Sequence, residues 1–102
     1  MNPKLRVEVA MSLMRALWGE VTPDMRAVFV RVVGEHVFSI EFYIDGNSSE
    51  QLLEVASEIE GEVMGDFPSG IDISHKLIRL DAPAKIPVDE DGILIYLRKE
   101  SI

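Results

Sequence analysis

The sequence predicts an α+β fold: two layers, with a four-stranded antiparallel sheet carrying two helices on one face, in the order α-β-β-α-β-β. Three observations predict it. Two segments place apolar residues at three-and-four spacing, and four others are rich in β-branched and aromatic residues. The first two of those four are joined only by Gly34-Glu35-His36, which makes them a hairpin. Hairpin pairs mixed with amphipathic helices favour helices gathered on one side of a sheet. At 102 residues there is room for one core, so residues 1–102 are read as a single domain.

The first helix is expected from Pro3 to Trp18. Asn2 serves as N-cap, and Pro3 sits at the first helical position, where its missing N–H costs nothing. Ala10, Leu13, Met14, Leu17 and Trp18 recur as its buried stripe, and Gly19 stops it. After Thr22-Pro23-Asp24 come two strands, Arg26 to Val33 and Val37 to Asp45. In the second, Phe38, Ile40, Phe42 and Ile44 point one way and Val37, Ser39, Glu41 and Tyr43 the other.

Asp45-Gly46-Asn47 turns the chain into the second helix. Ser48 with Gln51 fits a capping box, and Ser49 is the alternative cap. Leu52, Ala56, Ile59 and Val63 form its apolar stripe, and Phe67-Pro68-Ser69-Gly70 ends it. The third strand, Ile71 to Leu80, changes phase: Ile71, Ile73 and Leu77 favour one face, Ile78 and Leu80 the other. A bulge near His75 or Lys76 reconciles them. Asp81 to Gly92 is a loop, and Ile93 to Arg98 the last strand. Val37, Tyr43, Leu94 and Tyr96 are then apolar residues available on the sheet face away from the helices, a surface through which two copies can pair.

Composition excludes several classes. No apolar stretch approaches the roughly 20 residues of a membrane span. The beginning of the chain lacks the residue order of a secretory signal, and there is no cysteine, so a cytoplasmic location is expected. A formal net charge of −8 disfavours nucleic acid as a partner. That charge is unevenly placed. Between Arg31 and Lys76 there is no Lys or Arg, and residues 32–75 hold ten acids, for −10; the remainder, with eight acids and ten bases, sums to +2. A field of this kind speeds association with a basic macromolecule.

Catalytic and metal-binding patterns are missing. His36 falls in the hairpin turn and reads as a solvated turn residue. His75 falls mid-strand and reads as a hydrogen-bonded strand residue rather than a base or ligand. Asp89-Glu90-Asp91-Gly92 is too short for a calcium loop, and no His pair has zinc spacing. General acid–base chemistry needs carboxyl groups in a cleft that drives their pKa values apart. Glutamates along an outward helix face do not supply one. An enzyme is not expected, nor a cofactor or metal.

What stands out is the second helix. At 100° per residue Glu50, Glu54, Glu58 and Glu62 form one stripe almost opposite its apolar face. Surface helices usually alternate such glutamates with lysines, because like charges four apart cost about 0.2–0.5 kcal/mol per pair. The stripe is either a solvated face or a preformed anionic surface for a cationic partner. On the second reading the contact residues are Glu50, Glu54, Glu58, Glu62 and Asp66, with Asp45, Asp89, Glu90 and Asp91 as rim. Gly61 and Gly65 project towards the same side, where they permit close backbone approach or loosen the helix.

Leu17 through Val28 (LWGEVTPDMRAV), Phe42 through Gly46, Glu62 through Pro68 (EVMGDFP), Arg79 through Pro83 and Ile95 through Glu100 resemble a small bacterial family of immunity proteins. That family is associated with contact-dependent growth inhibition and other polymorphic toxin systems. The resemblance covers most of the chain. It implies a non-enzymatic protein that binds the C-terminal domain of a cognate toxin, commonly a basic nuclease, and blocks it. It carries no site residues over. A structural homodimer pairing through the sheet face, with no toxin partner, is the reading from another class, and a small carboxylate enzyme a weaker third.

Overall fold

The structure, a computed structural model, describes residues 3–100; the expected Asn2 cap lies outside them. The elements follow in the expected order: α1 (Pro3–Ala16), β1 (Met25–Gly34), β2 (Val37–Ile44), α2 (Glu50–Gly65), β3 (Asp72–Arg79) and β4 (Gly92–Leu97). They build an α+β fold whose sheet has the strand order β3-β2-β1-β4. The sheet is mixed rather than antiparallel. β1 pairs antiparallel with β2 and β4, but β2 and β3 run parallel, from Val37 opposite Asp72 to Ile44 opposite Arg79. The physical reason is the connection. Neighbouring strands separated by a whole helix meet in parallel, because α2 returns the chain to the end of the sheet where β2 began.

β3 needs no bulge. Its pairing with β2 is continuous, so Ile73, His75 and Leu77 face one side while Ile78 faces the other. The strand is apolar on both faces because both are covered. Irregularities lie elsewhere: in β1 between Met25 and Ala27 and between Val32 and Gly34, and at Val28/Phe29 where β1 meets β4.

One face of the sheet carries both helices. Val9, Leu13, Ala16 and Leu17 of α1 and the segment after it pack with Leu52, Ala56, Ile59 and Val63 of α2 over Val28, Val30, Phe38, Ile40 and Phe42. For α2 this is the expected stripe. For α1 the buried arc is rotated: Val9, Ser12, Leu13 and Ala16 point inward, whereas Met14 and Trp18 stand in solvent and Ala10 is half-buried. The apolar residues of this segment spread over well more than half of its circumference beside a polar strip of Lys4, Glu8 and Arg15, so periodicity alone gives no unique inward face.

The other face holds a second, smaller core. Ala27, Phe29 and Tyr43 are buried there beneath Ile78, Leu80 and Ile86, with Phe29 and Tyr43 edge to face at 5.7 Å between ring centroids. The loop after β3 therefore lies over part of the surface available for pairing two copies. Of the four residues expected there, Tyr43 is buried, Val37 half-buried and Leu94 exposed. Tyr96 stands opposite Val28 and packs into the helix-side core, because the irregularity in the β1–β4 pairing reverses its face.

Arg26 ties this second layer down. It is the extra residue of the Met25/Ala27 bulge, and a bulge re-aims a side chain out of the regular alternation. Its guanidinium is 2% exposed. It donates to Leu80 O at 2.6 Å, to Ala84 O at 2.8 Å, and with two nitrogens to the Glu100 carboxylate at 2.7 and 2.8 Å. Arg98 donates to the same carboxylate, to Pro23 O and to Asp45.

The hydrogen bond from Arg26, then that from Arg98, draws the Glu100 carboxyl down to about 2 from its ordinary 4.5. The folded state thus binds this proton less tightly than the unfolded chain, and the contact stabilises fully above about pH 4.5. That contribution is lost as pH falls from there through about 2. Glu100→Gln is expected to lower the urea midpoint near neutral pH, with a deficit that narrows below pH 4.5 and vanishes near 2.

At the start of α2 the cap is Ser49, whose Oγ accepts from the Leu52 N–H at 3.1 Å. Ser48 and Gln51 therefore do not form the capping box. Ser49→Ala should cost about 1 kcal/mol, lowering the thermal midpoint by roughly 4–8 °C, as a melting curve followed by circular dichroism would read.

Candidate functional site

The two helices lie side by side on the sheet, α2 against β3 and α1 against β1 and β4. Leu5 and Glu8 of α1 share a hollow with Phe67 to Ile71 beyond the end of α2. Thr22 to Asp24, beyond α1, meet Ser49 to Leu52 at the start of α2. The helices are thus antiparallel, and their outer sides form one face.

On that face Glu50, Glu54, Glu58 and Glu62 are all exposed, and α2 is regular through Gly65. They are one ridge because residues four apart on a helix are neighbours. Among the described residues none of the four carboxylates has an ion-pair partner. Of the other six acids of the lysine- and arginine-free stretch, Glu35 and Asp72 are exposed singly near the β1–β2 turn and at the start of β3, and four are engaged within the fold. Glu41 is 3% exposed on the far sheet face, paired with Arg31 at 3.0 Å and Lys76 at 3.4 Å. Asp45 is bound by the Ala82 N–H and by Arg98, and Glu60 by His75 Nδ1 at 2.7 Å. Asp66 caps the end of α2, accepting from Ser12 Oγ at 2.6 Å and Arg15 at 3.3 Å. Partners from other elements have engaged these four acids and left the ridge bare.

The internal contacts mark the carboxyls that make them. Asp66 titrates below the ordinary carboxylate range, chiefly through the Ser12 hydroxyl, and Asp45 does so through the Ala82 N–H and Arg98. Asp89 is lowered first by Arg31, which it meets at 2.9 Å, and it also accepts from the N–H groups of Asp91 and Gly92. The Asp89–Asp91 tip is held beside the start of α1, where Arg6 donates to Glu90 O. Of the nine acids singled out from sequence, the structure thus gathers Glu50, Glu54, Glu58 and Glu62 into one ridge, with Asp66 at its end. Asp45, Asp89, Glu90 and Asp91 belong to other parts of the surface.

Gly61 and Gly65 sit within the helix on its outer side, and a Cβ at either would meet nothing within 4 Å. The helix does not loosen there, and internal packing does not require glycine. His75 has the structural role expected of it, its ring bonded to Glu60 and edge-on to Phe42. His36 is exposed in the hairpin turn. Among the described residues no three His, Cys, Asp or Glu side chains come together as metal ligands. Among the described residues no helix is long and apolar enough to cross a membrane.

Sequence reasoning missed one component of this face. Val7, Met11, Met14 and Trp18 are 55%, 52%, 46% and 73% exposed; the first three line up along the outside of α1, and Trp18 continues the line in the turn just beyond it. The signal was present as an apolar arc wider than one buried side needs, set against a polar strip of Lys4, Glu8 and Arg15.

No curated protein matches the chain. The sequence does match an established family from residue 6 to residue 100, nearly its whole length, from within α1 through β4. The chain belongs to the MafI2 immunity protein family, whose members are inhibitors of toxins rather than enzymes.

Proposed function

We propose that this immunity protein acts by capturing a cationic toxin domain, a basic nuclease, on the helical face of its sheet, with the Glu50–Glu54–Glu58–Glu62 ridge as the electrostatic contact. The setting is the cytoplasm of a bacterium using contact-dependent growth inhibition, where the bound toxin is kept from its substrate. One observation carries the reading: these four carboxylates stand in line and exposed, while Glu41, Asp45, Glu60 and Asp66 are paired within the fold.

The unpaired arrangement is not what helix stability favours, since three successive Glu–Glu steps cost on the order of 1 kcal/mol. Gly61 and Gly65 add about 0.5–1 kcal/mol each and keep the ridge low where the fold does not need it low. Both costs have a rationale if a partner closes on this surface. Asp66, Asp45, Asp89, Glu90 and Asp91 then serve at most as rim, the first three with their carboxylates already engaged. The test is the association rate of a ridge-reversed variant with the toxin domain at low and high salt.

A further inference from the structure

Beside the acidic ridge runs an apolar one. Val7, Met11 and Met14 extend along α1, and Trp18 and Val21 continue the stripe beyond it. Towards the sheet edge, Met14, Leu17, Trp18, Val21, Ile95 and Tyr96 border a shallow hollow of about 210 Å³. Buried positions Val9, Leu13 and Ala16 lie on the opposite side of the helix, so the fold does not use the stripe. An exposed tryptophan flanked by methionines is costly to leave in water, and Trp and Met are enriched in the dry centres of protein interfaces.

We infer that this stripe is the anchoring half of the toxin-binding face, with Trp18 inserted into an apolar pocket of the toxin that is bordered by Lys and Arg. The inference rests on the reading above and assigns a different task to each helix: the α2 ridge governs encounter, and the α1 stripe governs residence.

Charge selects the occupant. The stripe stands on the helix that packs beside α2, whose four ridge carboxylates have no ion-pair partner among the described residues. A second copy docked stripe to stripe brings two such ridges into one assembly, and Arg15, which shares a hollow with Glu62, is already paired with Asp66. An anionic lipid surface is repelled for the same reason. A protein surface that is apolar at its centre and basic at its margin satisfies both helices at once. Rim charges act mainly on association, whereas a desolvated aromatic anchor acts on dissociation.

The experiment uses the full chain, with the toxin domain whose growth arrest it relieves on co-expression as probe, in a catalytically inactive form. Binding kinetics are recorded for the parent, Trp18→Ala and Glu54→Lys/Glu58→Lys. Trp18→Ala is expected to raise the dissociation rate about 30-fold with little change in association rate. Its melting temperature should stay within about 4 °C of the parent, as befits a side chain 73% exposed. An unchanged dissociation rate overturns the anchor. It leaves the ridge untouched, because the ridge is read from the other variant through the other rate constant. Sedimentation of the free protein adds a further arm: a dimer that Trp18→Ala dissolves, with toxin dissociation unaltered, makes the stripe a self-association surface and also overturns the inference.

Discussion

Reversing Glu54 and Glu58 to lysine should slow association with the toxin domain at least 10-fold at low ionic strength. The substitution takes the ridge of Glu50, Glu54, Glu58 and Glu62 from a charge of −4 to zero. Steering by a charged surface is worth about 10–10³ in association rate. Raising salt towards 0.5 M shortens the screening length below about 5 Å, so parent and variant rates should converge there.

The same variant should not unfold. The lysine at position 54 stands four residues from Glu50, and the lysine at position 58 four residues from Glu62, so both steps become opposite-charge pairs. One like-charge step remains where there were three, a gain of roughly 1 kcal/mol in helix stability. Slower capture by a more stable protein is a combination that loss of structure cannot produce. Equal association rates at low salt would falsify the ridge as the contact.

The second large effect concerns the layer on the other side of the sheet. Arg26→Met should destabilise the protein by about 3 kcal/mol, lowering the thermal midpoint by roughly 12–24 °C. Arg26 is 2% exposed and serves three acceptor groups that come from the loop after β3 and from the end of the described chain. Removing it leaves Leu80 O and Ala84 O without this donor and Glu100 with Arg98 alone. Breaking a buried pair costs about 3–5 kcal/mol when the remaining charge is stranded. The low end applies because the Glu100 side chain is 27% exposed and can be hydrated. Arg26→Lys should recover only part of the loss, since an ammonium cannot span a bidentate carboxylate and two carbonyls. Calorimetry of the two variants checks this, and a midpoint within a few degrees of the parent for Arg26→Met would show that the loop is held by its apolar contacts instead.

Elements with one clear periodicity were legible. The alternation in Val37–Ile44 and the stripe of Leu52, Ala56, Ile59 and Val63 each have only one way to bury themselves, and both are buried that way. Where a segment is apolar on two sides, periodicity loses its meaning. β3 called for a bulge because one covered face was assumed, and the loop over Tyr43 and Phe29 supplies the second cover. α1 called for Trp18 inside because its apolar residues cover more than one side, and Trp18 is 73% exposed. The parallel pairing of β2 and β3 was implicit in a helix placed between them. The preference for hairpins concealed it.

By itself the sequence determined the inventory: six elements in their order, a helix with glutamates every fourth residue, and an acidic stretch without lysine or arginine. These follow from neighbours along the chain, and local spacing is enough to read them. Only the tertiary structure decided which acids remain exposed and unpaired. Arg15, Arg31, Lys76, His75 and Arg98 reach Asp66, Glu41, Glu60 and Asp45 across the fold, and no sequence spacing encodes those encounters. It likewise decided which part of the apolar arc of α1 faces solvent, because an arc wider than one buried side takes its orientation from what it packs against.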